Sequence, residues 1–188
     1  MAEFDFDAAR RWARFDPQKT LARRGDNELP FVNANLIGGQ GLLLDTCVYI
    51  DQMQDRSPQM LDDLIAQRQV NHSTVVIQEL MYTVGVLNPS DARSAGVLAE
   101  IGKQIKAMPP HRIFVPDIEV LGRAALLSGI LCRLQGYDKD AKLRALQDCV
   151  LFLQARKLGL VLLTANVGDY DMLLQLIPAG RALFYRRK

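Results

Sequence analysis

Unbroken apolar runs alternate with amphipathic stretches along most of this chain, and glycine, proline and acidic residues punctuate them. Leu42-Leu43-Leu44-Asp45 reads as a strand covered on both faces. Val48-Tyr49-Ile50 leads from it into a helix, and Ser57-Pro58 signals the start of another over 59–69. His72-Ser73-Thr74-Val75-Val76 reads as a second short strand, with a helix opening at Gln78-Glu79-Leu80. Ser90 or Asp91 caps a helix through Lys106, which Pro109-Pro110 ends. Arg112-Ile113-Phe114-Val115-Pro116 is a third strand, closed by proline. Asp117 then caps a helix to about Gln135, where Gly136 stops it. A long helix over 139–157 precedes Gly159 and the strand Leu160-Val161-Leu162-Leu163-Thr164. A loop over 165–170, a last helix over 172–176 and an edge strand at Ala182-Leu183-Phe184-Tyr185 complete the pattern. Strands alternating with helices predict an α/β fold, a largely parallel sheet with helices on both faces.

The first forty residues are patterned differently. Arg10-Arg11-Trp12-Ala13-Arg14 can begin a short helix, but the stretch to Gly38-Gly39-Gln40-Gly41 is polar and broken by Pro17, Gly25 and Pro30. Residues 1–41 therefore read as an N-terminal extension, packed on the domain or used for a partner, and residues 42–188 as the domain itself. Disorder in the free protein is the competing reading of the same composition.

Four acids stand out because each lies beside an apolar stretch: Asp45, Glu79, Asp148 and Asp169. Ligands in open α/β sheets gather outside the carboxyl ends of the strands. Asp45 ends its strand, Asp169 lies in the loop after Thr164, and Glu79 falls in the first predicted turn after the second strand. Asp148 interrupts Ala145-Leu146-Gln147-Asp148-Cys149-Val150-Leu151-Phe152-Leu153, where a solvent-facing position is hard to find. Taken singly, each has an ordinary explanation: a strand-end turn, a helix-start acid, an Arg144 salt bridge, a turn former. Together those explanations serve poorly. An isolated buried carboxylate costs several kcal/mol or neutralises itself, and four convergent ones call for a hard cation such as Mg²⁺.

These segments resemble the PIN-domain family of Mg²⁺-dependent ribonucleases, and within it the VapC-like toxins of type II toxin–antitoxin modules. Leu43-Leu44-Asp45-Thr46-Cys47-Val48-Tyr49-Ile50-Asp51 is similar to the family's opening LLDTNVLID. Ser73 through Glu79-Leu80 resembles its strand-to-helix segment, Leu146-Gln147-Asp148-Cys149 its third-acid helix, and Leu163-Thr164-Ala165-Asn166-Val167-Gly168-Asp169-Tyr170 its closing LxTxNxxDF. The match spans about residues 42–185, and all four motifs occur in order. The resemblance implies a three-layer α/β/α domain and an acidic quartet of Asp45, Glu79, Asp148 and Asp169 holding Mg²⁺ or Mn²⁺. Thr46, Ser73, Thr164 and Asn166 fall on its polar supporting positions. It further implies cleavage of single-stranded RNA, a cognate antitoxin and a homodimer. Cys47 departs from the family asparagine, Tyr170 replaces phenylalanine, and the extension lies outside the common pattern.

Composition narrows the rest. The 188 residues carry a net charge of +2, too small to imply polyanion binding by itself, so RNA contact falls to local basic side chains. Candidates are Arg56, Lys139, Lys142, Arg144, Arg181, Arg186, Arg187 and Lys188, with Tyr49 or Tyr170 for stacking. Among them Arg144, Lys142 and Tyr170 are the foremost, although a solvated charged face explains any single one. Three unpaired cysteines, no signal-peptide pattern and no membrane-length apolar run predict a cytoplasmic protein without membrane association. His72 and His111 are expected on the surface, away from the chemistry. Two other classes fit parts of the pattern. A PIN-like module that binds RNA or protein without cutting is one; a phosphatase with Asp45 as nucleophile is the other, weakened because Cys47 stands where its second aspartate belongs.

Overall fold

The computed structural model describes residues 4–33, 35 and 38–188; the side chains of Lys139 and Asp140 lie outside that description, and with them the RNA candidate Lys139. Five strands make one parallel sheet in the order β3-β2-β1-β4-β5, with β1 Leu42–Leu44, β2 Val70–Ser73, β3 Ile113–Phe114, β4 Val161–Thr164 and β5 Ala182–Phe184. The central pair is the most apolar. Leu42, Leu43 and Leu44 register against Val161, Leu162 and Leu163, and the six side chains are buried. Each fully buried leucine contributes about 1.5–3 kcal/mol, which is why the unbroken runs take the middle of the sheet. The strand order steps one way from β1 to β3 and the other way from β3 to β5, so right-handed crossovers place helices on both faces.

Helices α2 Thr46–Met53, α3 Gln59–Gln67, α4 Thr74–Val86 and α5 Ala92–Ala107 fill the first half. Helices α6 Ile118–Gln135, α7 Lys139–Lys157 and α8 Val167–Leu176 fill the second; α6 packs along α7, and α7 lies on β1 and β4. Asp117 caps α6 by accepting from the Val120 amide, and Gly136 ends it in the left-handed region at φ 65°.

Two boundaries differ from expectation, and both matter for the site. The second strand stops at Ser73 and α4 begins at Thr74, because the Ser73 hydroxyl accepts from the Val75 amide at 3.1 Å and starts the helix there. Glu79 is consequently in the second turn of α4, past the first turn in which a helix dipole stabilises an acid. Residues 167–170, expected as loop, are the first turn of α8, capped by Asn166. Smaller shifts occur at β3, which keeps two residues of the expected five, and at α3, which ends at Gln67.

The N-terminal extension is folded against the domain from α1 to Val32. Helix α1 Phe6–Arg10 packs on α6, and Trp12 is buried beneath the Arg123 and Arg156 guanidinium groups, 4.7 and 5.4 Å from its ring centroid. Arg24 holds the wholly buried Asp171 of α8 through its Nε at 2.7 Å and its backbone amide at 2.8 Å. Farther on, the Val32 amide donates to the Phe184 carbonyl at 2.7 Å and the Phe184 amide to Pro30 at 2.9 Å. The extension thereby covers the β5 edge, which would otherwise present unpaired backbone groups.

Candidate functional site

Strand β1 ends on Asp45, and α2 begins on the next residue. Asp45 occupies the position before the helix but makes no capping bond with its side chain. Its carboxylate instead accepts from the Thr164 hydroxyl at 2.5 Å and the Cys47 thiol at 3.1 Å. The parallel register explains the first contact: Leu44 pairs with Leu163, so the next residue on each segment, Asp45 just past β1 and Thr164 at the end of β4, meets its counterpart at the carboxyl edge of the sheet. Thr46, one residue on, donates its hydroxyl to Glu79, fastening the start of α2 to the second turn of α4.

On the other side Asn166 ties two acids together. Its amide nitrogen donates to Asp148 at 3.2 Å and to Asp169 at 2.9 Å, while Tyr137 donates to the second oxygen of Asp169 at 3.0 Å. Asp148 projects from α7 and is 9% exposed. Arg144, one turn back, forms no salt bridge with it. Asp45, Glu79 and Asp148 line one polar cleft of about 410 Å³ together with Cys47, Arg144, Asn166 and Arg187. Asp169 stands behind Asn166 and does not line the cleft.

Burial and mutual repulsion shape the charge of this cleft. Desolvation pushes Asp148 well above the usual carboxylate range, and the fields of Asp45, Asp169 and Glu79 push the same way. Desolvation also raises Asp45, against the lowering effect of its bonds from Thr164 and Cys47. Glu79 is raised to about 7 by burial, opposed by Thr46 and assisted by Asp45. The Cys47 thiol is driven up by burial and by Asp45, which leaves it protonated and a donor. That disposes of a nucleophilic thiolate at this position.

The donor set suits a hard cation. Oxygen ligands predominate, and burial desolvates the Asp45, Glu79 and Asp148 carboxylates. Among the described residues, however, no three His, Cys, Asp or Glu side chains converge closely enough to cage an ion. The residues therefore fit Mg²⁺ or Mn²⁺ held by one or two carboxylates with water completing the shell, the usual manner for Mg²⁺. They do not fit an ion enclosed by protein ligands alone.

Several candidates have other employment. Tyr170 and Tyr49 are buried and cannot stack on a base: Tyr170 faces Phe152, and the Tyr49 hydroxyl lies 2.5 Å from His72 Nδ1. His72 is itself in the core of β2, contrary to expectation, and burial lowers it to about 4; His111 is exposed as expected. Ser73 spends its hydroxyl on the α4 cap. Lys142 is exposed but does not line the cleft. Of the basic tail, Arg181 bonds Gln40, Arg186 bonds Asp26 and Lys188 bonds Asp55.

Three contributors escaped the sequence reading. Tyr137 reaches Asp169 from beyond α6, a contact without any local signal. Asp171 carries the extension. Asp51, wholly buried in α2, binds Arg56, Arg187 and Tyr185; an acid following Tyr49-Ile50 is the same signal that singled out Asp148.

No family model matches the sequence, and no curated protein does. Solved structures do match by shape. VapBC2 from Rickettsia felis, bound to a DNA fragment from its promoter, aligns over 77% of this chain and 98% of its own at 13% identity, with a TM-score of 0.52. FitAcB from Neisseria gonorrhoeae aligns over 76% and 96% at 22% identity, TM-score 0.51. VapBC-1 from nontypeable Haemophilus influenzae aligns over 77% and 96% at 18% identity, TM-score 0.50. Identities this low speak to fold: the chain has the parallel α/β architecture of these neighbours, a PIN-like domain. Among the described residues no helix is long and apolar enough to cross a membrane.

Proposed function

We propose that the protein is a metal-dependent endoribonuclease cleaving single-stranded RNA, and the toxin of a toxin–antitoxin pair. One observation carries the chemistry: Asp45, Glu79 and Asp148, from three separate segments, line a single polar cleft at the carboxyl edge of a PIN-like sheet. A pure scaffold gains nothing from concentrating desolvated carboxylates, which repel one another and raise one another's pKa. The antitoxin partner rests on the shape likeness to VapBC and FitAcB and on the motif resemblance; the homodimer rests on the resemblance alone.

Asp45 and Asp148 are the direct ligands in this proposal, with Asp169 acting from behind Asn166. Bound there, Mg²⁺ or Mn²⁺ would supply a water of lowered pKa and offset charge on the phosphoryl oxygens. Thr164 and Cys47 fix the Asp45 carboxylate, and Asn166 fixes Asp148. Glu79, which lines the cleft and is held by the Thr46 hydroxyl, accepts a proton from the attacking water. The experiment is a melting series in EDTA, Mg²⁺ and Mn²⁺ beside cleavage of single-stranded RNA. A cation-dependent rise in Tm, together with cleavage abolished by EDTA, supports the nuclease.

A second reading, a PIN-like module that binds RNA or protein without cutting, draws on the lack of a preformed three-ligand cage among the described residues. Indifference of the melting temperature to millimolar cation, with RNA binding intact, selects it.

A further inference from the structure

We infer that Arg187 is a phosphate-binding residue of the acidic cleft and that the buried Asp51 is the residue that positions it. This deepens the nuclease proposal and rests on it. Asp51 is wholly buried in α2 and needs one positive partner. It has that partner in Arg56, at 2.7 Å, and a further donor in the Tyr185 hydroxyl, also at 2.7 Å. A second arginine is surplus to neutralisation. Arg187 nevertheless places its Nε 2.9 and 2.8 Å from the two Asp51 oxygens. Two arginines on one aspartate leave a net positive charge.

That charge is not hidden. The Arg187 side chain is 48% exposed and lines the same cleft as Asp45, Glu79 and Asp148. Only its Nε is spent on Asp51; among the described residues no acceptor bonds its terminal amino groups. Those groups can form the paired, parallel bonds that suit a phosphate. The neighbouring tail residues differ: Arg186 bonds Asp26 and Lys188 bonds Asp55, each an exposed pair. A cleft lined by three carboxylates repels a polyanion, so a fixed cation at its rim gives the strand a point of attachment. Arg144, exposed on α7, lines the cleft as well, but nothing immobilises it in the same way. The bond to Asp51 removes most of the rotamer freedom that Arg187 would otherwise lose on binding.

The test follows a labelled single-stranded RNA oligonucleotide. Single-turnover cleavage in Mg²⁺ gives the half-saturating protein concentration and the maximal rate, and anisotropy in EDTA gives Kd, each across a salt series. Arg187→Ala is expected to raise half-saturation and Kd by about tenfold, to leave the maximal rate within a few-fold, and to flatten the logarithmic salt slope by about 0.7, the value of one phosphate contact on a single strand. Arg187→Lys restores the slope. Asp51→Asn raises half-saturation while keeping the slope, because the cation survives but is no longer held. Lys103→Ala, on the exposed face of α5, leaves every quantity unchanged. Wild-type affinity and slope retained in Arg187→Ala overturn this inference while the nuclease proposal stands. A wild-type protein that neither cleaves nor binds the oligonucleotide overturns the nuclease proposal, and this inference falls with it.

Discussion

The Thr164 hydroxyl donates to the Asp45 carboxylate at 2.5 Å, joining the ends of two adjacent parallel strands that lie more than a hundred residues apart in sequence. Both groups are buried, so this bond opposes the desolvation that drives Asp45 toward its neutral form. Thr164→Val keeps the shape and removes the donor. We expect Mg²⁺-dependent cleavage to fall by about 10–100-fold, the usual effect of losing a group that orients a ligand, while Thr164→Ser retains most activity. Equal activity in the valine and serine variants would show that Asp45 needs no such support.

Asp45→Asn and Asp148→Asn are expected to separate function from folding. Each replaces a carboxylate that is disfavoured by burial with a neutral group of the same size. In EDTA the variants should melt no lower than wild type, since like-charge repulsion in the cleft is relieved. In Mg²⁺ they should lack both the stabilisation and the cleavage. Full activity in either variant would sink the acidic-cleft model.

Glu79 sets a pH dependence. Its carboxyl titrates at about 7 in the folded protein against a usual 4.5. Between those values the folded state holds a proton that the unfolded state has lost, so stability declines as pH rises through this window and the full penalty is present above it. His72, lowered to about 4 from 6.5, works in the opposite sense, adding stability as pH rises from about 4 to 6.5. A difference measurement isolates Glu79: in EDTA, the melting temperature of Glu79→Gln minus that of wild type should grow from about pH 4.5 to 7. A constant difference would show that burial does not hold the Glu79 proton.

Much of the sheet was legible because β1 is wholly apolar and β4 is apolar up to its closing Thr164, short runs bounded by glycine and polar residues that suit a doubly covered strand. The 139–157 helix was legible to its ends. Thr74-Val75-Val76 misled because β-branched residues favour strands, whereas the Ser73 cap and burial of Val75 and Val76 decide for helix. Asn166, legible as a polar supporting residue, also caps α8 by accepting from the Asp169 amide, a role that the expectation of a loop over 165–170 hid. Tyr170 looked available beside Asp169, yet Val167, Tyr170 and Leu173 recur at helical spacing and form the buried side of α8. The acids were visible as charges in apolar surroundings. Their bonding was not, because Thr46–Glu79 and Tyr137–Asp169 depend on how segments distant in sequence meet.

Arg24 and Asp171 supply the last prediction. Asp171 is wholly buried in α8, and the extension reaches it through the Arg24 guanidinium and backbone amide, with Gln175 donating at 3.0 Å. Arg24→Ala keeps the amide and Gln175 bonds but removes the charge, leaving a buried carboxylate without its cation. Loss of a hydrogen bond to a charged group costs about 2 kcal/mol, which in a domain of this size lowers Tm by about 4–8 °C. Trp12, the sole tryptophan, lies under Arg123 and Arg156 in the same extension and reports its attachment. Its emission should shift to longer wavelength in Arg24→Ala at temperatures below the main transition, because the extension loosens before the sheet unfolds. A variant with wild-type Tm and unshifted Trp12 emission would show that the extension is held by its apolar contacts and the β5 edge alone.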